Sequence, residues 1–283
     1  MKPVKFYSFH CNRPDMIKIQ CDSFRKFIRD DKWELIVVNN SHSPEHRKQI
    51  SEQCRENNLS ELILIPMAGP GFAHSEAMNT IWQKHMLHDS GYYSAFLDGD
   101  LFAISDFSVN DFMKGGYIFG GVKQQREYKW HWLGPYLLIA DIDNIEDGTT
   151  ISWTGGVAPN GCTLDTGGGL HRYLDARLET KENKIKGMAY SYYVKEQNNN
   201  KHVLPDELTK VYSDDYAIEI VEDSFLHYAG SSNYANNDSG FHSRKTAFVK
   251  AFIYACISDK IKAKKVGFMI PNDTYFGWGK WVQ

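Results

Sequence analysis

Two acids stand one residue apart in "AFLDGDLFAI", Asp98 and Asp100, at the end of an apolar run. Like charges separated only by a glycine repel unless something positive sits between them. Either a cation belongs there, held by hard carboxylate oxygens, or the pair is a solvated turn. A rival pair, Asp141 and Asp143, follows the apolar "PYLLIADID". The earlier pair is the better candidate, because Gly99 lets the backbone come close to a ligand and because the pair ends the regular half of the chain. Asp165 in "LDTGGGLHRYL" precedes three glycines and a helix start. A carboxylate at that point could take a proton from a hydroxyl, or it could only cap the helix. His227 in "HYAGSSNY" offers an imidazole that serves either as a metal ligand or as a structural hydrogen-bonding group.

The elements that must position these groups read as an alternation. "VKFYSF" is a buried strand, and after Pro14 the residues Ile17, Cys21, Phe24 and Ile28 recur at helical spacing. "ELIVV" is a second strand, Ser43 and Pro44 cap and open a polar helix, and "ELILI" is a third strand. "GPGF" breaks the chain, Ser75 caps a helix whose Met78, Ile81, Trp82 and Met86 share a face, and "YYSAFL" is the fourth strand. Strands and helices alternating in this way predict an α/β fold, a mostly parallel sheet covered on both faces. Ligands of such sheets gather beyond the carboxyl ends of the strands, where Asp98 and Asp100 fall. The second half is rich in Gly and Trp and less regular, with helices expected over "LHRYLDARLETK" and "RKTAFVKAFIYACI". One domain over 1–283 is expected, divided near residue 105 into a nucleotide-fold half (1–105) and a specificity half (106–283).

Composition excludes several classes. The 283 residues are 42% hydrophobic and 14% aromatic, enough for a substantial core, and the formal net charge of -3 with no long basic block argues against nucleic acid. Cys11, Cys21, Cys54, Cys162 and Cys256 are scattered, odd in number and never at CxxC spacing, so neither a disulfide framework nor a zinc site is expected. A reducing, cytoplasmic location fits. No apolar stretch reaches the roughly 18 residues of a membrane span, which predicts a soluble protein.

Taken in order, four features resemble the nucleotide-sugar glycosyltransferases of the GT-A fold. A first strand leads into "HCNRPD", and a "GFAHSEAMN" loop and helix precede the acid strand. Asp98-Gly99-Asp100 stands where that family carries its DxD, and His227 comes late. The resemblance implies a Rossmann-like GT-A fold with an irregular, aromatic-rich acceptor half. It implies Mn2+ or Mg2+ held by Asp98, Asp100 and His227 against the diphosphate of a UDP-sugar, and a glycan or other hydroxyl acceptor. Oxygen ligands with one imidazole suit those ions, which neutralise charge on a leaving diphosphate. In some members an H-x-x-G segment meets metal and diphosphate, which gives roles to Gly230 and Ser231. Asn233 stands where a lysine often reaches the phosphates, so the positive charge there comes from Arg244 or Lys245, or from the metal alone. Asp165 stands where many inverting members carry their catalytic acid, which implies a base and inversion of the anomeric centre, with a retaining mechanism as the alternative. The remaining donor-side candidates are His10, Asn12, Arg13, Asn39, Asn40, His74, Ser75 and Asn79. Trp130, Trp132 and Trp153 offer flat faces to an acceptor sugar, or pack in the core. The compact size and the "PYLLIAD" stretch are also similar to glycosyltransferases of large algal DNA viruses, which would place the protein in a host cytoplasm.

Two other readings use the same residues. A haloacid-dehalogenase-like phosphatase also places D-x-D after an apolar strand, but it requires Thr or Val two positions after the second acid, where this chain has Phe102. A sugar- or nucleotide-binding module without catalysis would keep the fold and lack the base.

Overall fold

A computed structural model of the protein describes residues 1–64, 70–126, 130–157, 161, 163–164, 166–179, 184–188, 191–193, 208, 212–213, 216, 218–229 and 239–261. The order begins β1 (Val4–His10), α1 (Ile17–Phe27), β2 (Trp33–Asn39), α2 (Pro44–Glu56), β3 (Ser60–Ile63), α3 (Pro70–Lys84) and β4 (Tyr93–Asp98). It continues with β5 (Leu101–Ala103), α4 (Val109–Phe112), β6 (Phe119–Arg126), β7 (Trp130–Asp141), β8 (Gly156–Val157), β9 (Thr163–Leu164) and α5 (His171–Glu179). β10 (Ile185–Gly187), β11 (Ser191–Tyr193), β12 (Glu219–Val221), β13 (Phe225–His227) and α6 (Ser239–Ile257) follow.

Seven strands form a mixed sheet in the order β10-β6-β7-β4-β1-β2-β3. The β4-β1-β2-β3 block is parallel throughout, whereas β7 runs antiparallel to both β4 and β6. Strands from both sides of residue 105 therefore share one sheet. Alternate side chains sort to its two faces, as the two-residue period of a strand requires. Phe6, Leu35, Ala95 and Leu97 join Phe24 of α1 and Phe248 and Phe252 of α6 in one core. Tyr7, Phe9, Val38 and Phe96 join Met78, Ile81 and Trp82 of α3 in another. This is a Rossmann-like α/β arrangement, with helical layers over both faces of the sheet. No helix among the described residues is long and apolar enough to cross a membrane.

A second sheet, β11-β12-β13-β5, is antiparallel, and its edge strand β5 follows β4 after only Gly99 and Asp100. Its register fixes the late part of the chain against the acids, with His227 opposite Leu101 and Glu219 opposite His227.

Several local expectations change. α3 starts at Pro70, so Ser75 lies inside it and does not cap it. Proline suits a first helical position because its missing N–H has no partner to lose there. Ile28 is buried but extended, one residue past the end of α1. Ser43 caps α2 as expected, its hydroxyl accepting from the His46 amide at 3.4 Å with Pro44 next in line. Asp141 and Asp143 lie at the amino end of β4, opposite Tyr93, where both accept from Lys2 Nζ. That ion pairing explains two acids there without a metal, and it puts the rival pair at the wrong end of the parallel strands.

Candidate metal and donor site

Asp98 closes β4 at its carboxyl end, beside the end of β1, and Asp100 follows in the turn to β5. In the order 3-2-1-4 the chain reverses its direction of winding between β1 and β4, which is where open α/β sheets leave a crevice. Three contacts shape the turn. The Gly99 amide donates to the Phe9 carbonyl at 2.9 Å, and the Tyr228 amide donates to the Asp100 carbonyl at 2.9 Å. Gln20 of α1, fully buried, donates through Nε2 to the carbonyls of Asp98 (3.0 Å) and Leu101 (2.9 Å).

Gly99 is needed for space. A Cβ there would stand 2.5 Å from the Phe9 carbonyl oxygen and 2.7 Å from His10 Nδ1, so β1 or the turn would have to move. The close approach is to β1, where the sequence suggested an approach to ligand. We expect Gly99→Ala to lower stability by about 2 kcal/mol, the usual cost of forcing a carbon into a packed site. It should weaken Mn2+ binding as well, measured by urea unfolding and calorimetric titration. A variant unchanged in both would show that the turn has slack.

Asp98, Asp100 and His227 come together, with one ligand atom from each lying within 4.8 Å of the others. His227 Nε2 is 3.5 Å from Asp100 Oδ1 and 3.8 Å from Asp98 Oδ2. Asp100 is 5% and His227 8% exposed, so charge here is shielded little by water. Burial works against a charged imidazole, yet Asp100 and Glu219 outweigh it and hold His227 up at about 10. The site therefore already favours positive charge between its carboxylates. Two carboxylates and one imidazole nitrogen are the hard and borderline donors that Mn2+ or Mg2+ takes, so these residues fit such an ion.

The other donor-side candidates divide. His74 of α3 reaches the site, its Nε2 3.5 Å from Asp98 Oδ1 and its ring against Phe9. His10 is fully buried, its Nε2 paired with Gln20 Oε1 at 3.1 Å; burial pushes it down to about 4, so it is neutral at neutral pH. Asn12, at φ 56°, follows the end of β1, whereas Asn39 and Asn40 at the end of β2 are buried, with Asn39 Nδ2 donating to the Arg47 carbonyl (3.0 Å) and to Glu61 Oε1 (2.7 Å). Arg13 grips Asp15 through two nitrogens, donates to Thr246 and lies 5.4 Å from the Tyr228 ring centre. Ser75 contacts Thr166 at 3.4 Å, and Asn79 bridges Trp153 and Thr154, so both tie α3 to the segments beside it.

Trp153 is fully buried, packed edge-on to Trp82 and Phe96, so its ring is spent on the core. Trp130 and Trp132 fall on β7, but their side chains lie outside the described residues, as do Asp165, Gly230 and Ser231. Of the two candidate cations, Arg244 is exposed and Lys245 is buried. Lys245 Nζ donates to the Ala229 carbonyl at 3.0 Å and sits 4.1 Å from the Tyr228 ring centre. Burial pushes its ammonium down to about 8, partly offset by Asp100.

Sequence reasoning missed Gln20, Glu219 and Tyr136. Glu219 accepts from Tyr136 through Oε1 (3.1 Å) and pairs with His227 Nδ1 through Oε2 (3.1 Å). Only the period-2 register of a hairpin could have placed it there, and no turn signal in the sequence announces that hairpin.

No family model matches the chain, and no curated protein sequence matches it. Among solved structures, it is similar to a mannosyltransferase from Pyrobaculum calidifontis in complex with GDP-Man and Mn2+, at 13% identity over 50% of this chain and 44% of that one, with a TM-score of 0.35. The mannosyltransferase Ktr4p from S. cerevisiae is similar at 12% identity over 53% and 59%, TM-score 0.37. A glucosyl-3-phosphoglycerate synthase from Mycobacterium tuberculosis, in complex with Mn2+, UDP and glucosyl-3-phosphoglycerate, is similar at 11% identity over 66% and 69%, TM-score 0.40. The chain spans less than two thirds of the length of the first two.

Proposed function

We propose that this chain is a GT-A-type glycosyltransferase that moves a sugar from a UDP-sugar to a hydroxyl on a glycan or other acceptor, with inversion. The observation that carries the reading is the convergence of Asp98, Asp100 and His227 at the carboxyl end of β4, beside the winding reversal between β1 and β4. A divalent ion held by those three residues would neutralise the charge that develops on the leaving diphosphate. The chain's own cations add to that field. Lys245 and Arg13 flank the Tyr228 ring close to Asp100, and Lys245 stands in for the lysine absent at Asn233. Asn12 and His74 stand at the rim on which the nucleotide and sugar would rest, with the buried Asn39 and Asn40 behind it. Asp165 takes the proton of the acceptor hydroxyl. The acceptor oxygen bonds to the anomeric carbon as the bond from that carbon to the diphosphate oxygen breaks, and UDP leaves.

The test is a panel of UDP- and GDP-sugars incubated with the protein and Mn2+, assayed for nucleotide diphosphate. Slow release from a UDP-sugar without acceptor supports the reading; release of inorganic phosphate from phosphomonoesters, with none of UDP, sinks it. Lys245 adds a pH signature. Its charge is present below about pH 8 and lost above it, so UDP affinity should hold up to pH 8 and fall beyond. Lys245→Met should weaken UDP about tenfold, in line with a charge-assisted hydrogen bond, and remove that break. A pH profile of UDP binding identical in the variant would take Lys245 out of the site.

A further inference from the structure

Resting on the metal reading above, we infer that Glu219 and Tyr136 are positioning residues that hold His227 with its proton on Nδ1 and its Nε2 lone pair turned to the cation. Glu219 and His227 face each other across the β12-β13 ladder, so their side chains leave the sheet on the same side. Glu219 Oε2 meets His227 Nδ1 at 3.1 Å, while His227 Nε2 points the other way, toward Asp100 and Asp98. The second carboxylate oxygen is taken by the Tyr136 hydroxyl, 3.1 Å away. The Tyr136 ring then lies flat on the imidazole, with centroids 4.3 Å apart and planes 10° from parallel, which blocks rotation of the ring about its own bond. All three side chains are buried, Glu219 at 4% exposure and Tyr136 at 5%.

A carboxylate buried this deeply is costly unless it has work for both oxygens, and here both are engaged. A histidine can ligate through either ring nitrogen, and a metal site needs one tautomer. An acceptor fixed on Nδ1 leaves the lone pair on Nε2 and raises the ring's basicity toward a metal. β7 carries Tyr136 and β12 carries Glu219, so the large and small sheets each contribute one support to a ligand on β13. The arrangement links the cation site to the junction of the two sheets.

Mn2+ affinity, by calorimetry and by the electron paramagnetic resonance signal of free Mn2+, tests this without any turnover. Glu219→Gln should weaken Mn2+ about 10- to 100-fold in the folded protein, the range for outer partners of ligating histidines. Tyr136→Phe, which keeps the stacked ring and loses the hydroxyl, should weaken it by less. The decisive arm is a double-mutant cycle: in a His227→Ala background, Glu219→Gln should change Mn2+ affinity by less than about twofold, because Glu219 then has nothing to position. Circular dichroism checks that each variant is folded. Should folded Glu219→Gln bind Mn2+ as the parent does, or should its effect persist in full without His227, the positioning role is overturned while the metal reading stands. A parent protein that binds no Mn2+, with or without UDP, overturns both.

Discussion

Asp100→Ala should leave the protein folded and remove Mn2+ binding and UDP release together. The Asp100 carbonyl, which receives the Tyr228 amide, belongs to the backbone and survives the substitution, so the turn keeps its tie to β13. What disappears is a carboxylate 5% exposed, and with it the repulsion it shares with Asp98. The pairing with His227 is lost as well, so some stability goes with it, offset in part by the relief of that repulsion. Metal affinity should drop by more than about 100-fold, because even the outer partners of metal ligands are worth about 10- to 100-fold. The matched control is Asp143→Ala. That acid follows an equally apolar run, but it lies at the amino end of the strands, where Lys2, Ser90 and the Gly91 amide satisfy it. Its Mn2+ affinity should stay within about twofold of the parent, as expected for independent sites. Calorimetric titration of Mn2+ into both variants reads the difference. Equal affinities would mean that the cation, if one binds, sits elsewhere.

The contrast between those two acid pairs shows what the sequence could carry. Apolar run, acid, spacer, acid describes both; only their position along the β/α alternation separated them. That alternation was legible because β1, β2 and β4 carry continuous buried runs, though β3 at the sheet edge does not, and the helices set their apolar residues on one face. Strand β1 with Phe6 on one face and Tyr7 on the other, and Ser43-Pro44 opening α2, are cases where local signal and final packing agree. His227 could be proposed from its neighbours, yet its partner could not. Glu219 meets it through a hairpin whose turn, Val221 to Ser224, puts Glu222 at φ 48° and Asp223 at φ 52°. Tight turns with positive φ at both central residues favour Asn-Gly or Gly-Gly, and Glu-Asp gives no such notice. β6 and β7 were equally hidden. β6 carries Gly121 at φ 148° and a register shift between Gly121 and Lys123, and such an interrupted strand has no clean alternation to detect. Trp153 illustrates the limit of residue type alone, since nothing in "SWTGG" distinguishes a ring buried against Trp82 and Phe96 from one held open to a sugar.

Gln20→Leu should be the most destabilising substitution near the site, although residue 20 lies 78 positions from the first acid. In an amphipathic helix a polar residue on the buried face is expected to cost stability unless its hydrogen bonds are met inside. Here every one is met. Nε2 serves the carbonyls of Asp98 and Leu101, which bracket the acid turn, and Oε1 receives the Ser8 hydroxyl at 2.7 Å and pairs with His10 at 3.1 Å. Leucine has the right bulk and no donors or acceptors, so the carbonyls of Asp98 and Leu101 would lose its two donated hydrogen bonds together, while the Ser8 hydroxyl and His10 Nε2 keep each other at 3.1 Å. At about 1 to 3 kcal/mol for each buried group left unmet, and with some of them finding water, a loss of about 4 kcal/mol is expected. Gln20→Glu is the sharper probe of direction, for it keeps the shape and replaces the donor with an oxygen facing two carbonyl oxygens. It should be as damaging as leucine at neutral pH and should recover part of the loss in mild acid, where a protonated carboxyl can donate again. Urea unfolding at two pH values reads both effects. If Gln20→Leu keeps the parent's midpoint and its Mn2+ affinity, then the turn that presents Asp98 and Asp100 is held by β1 and β13 alone.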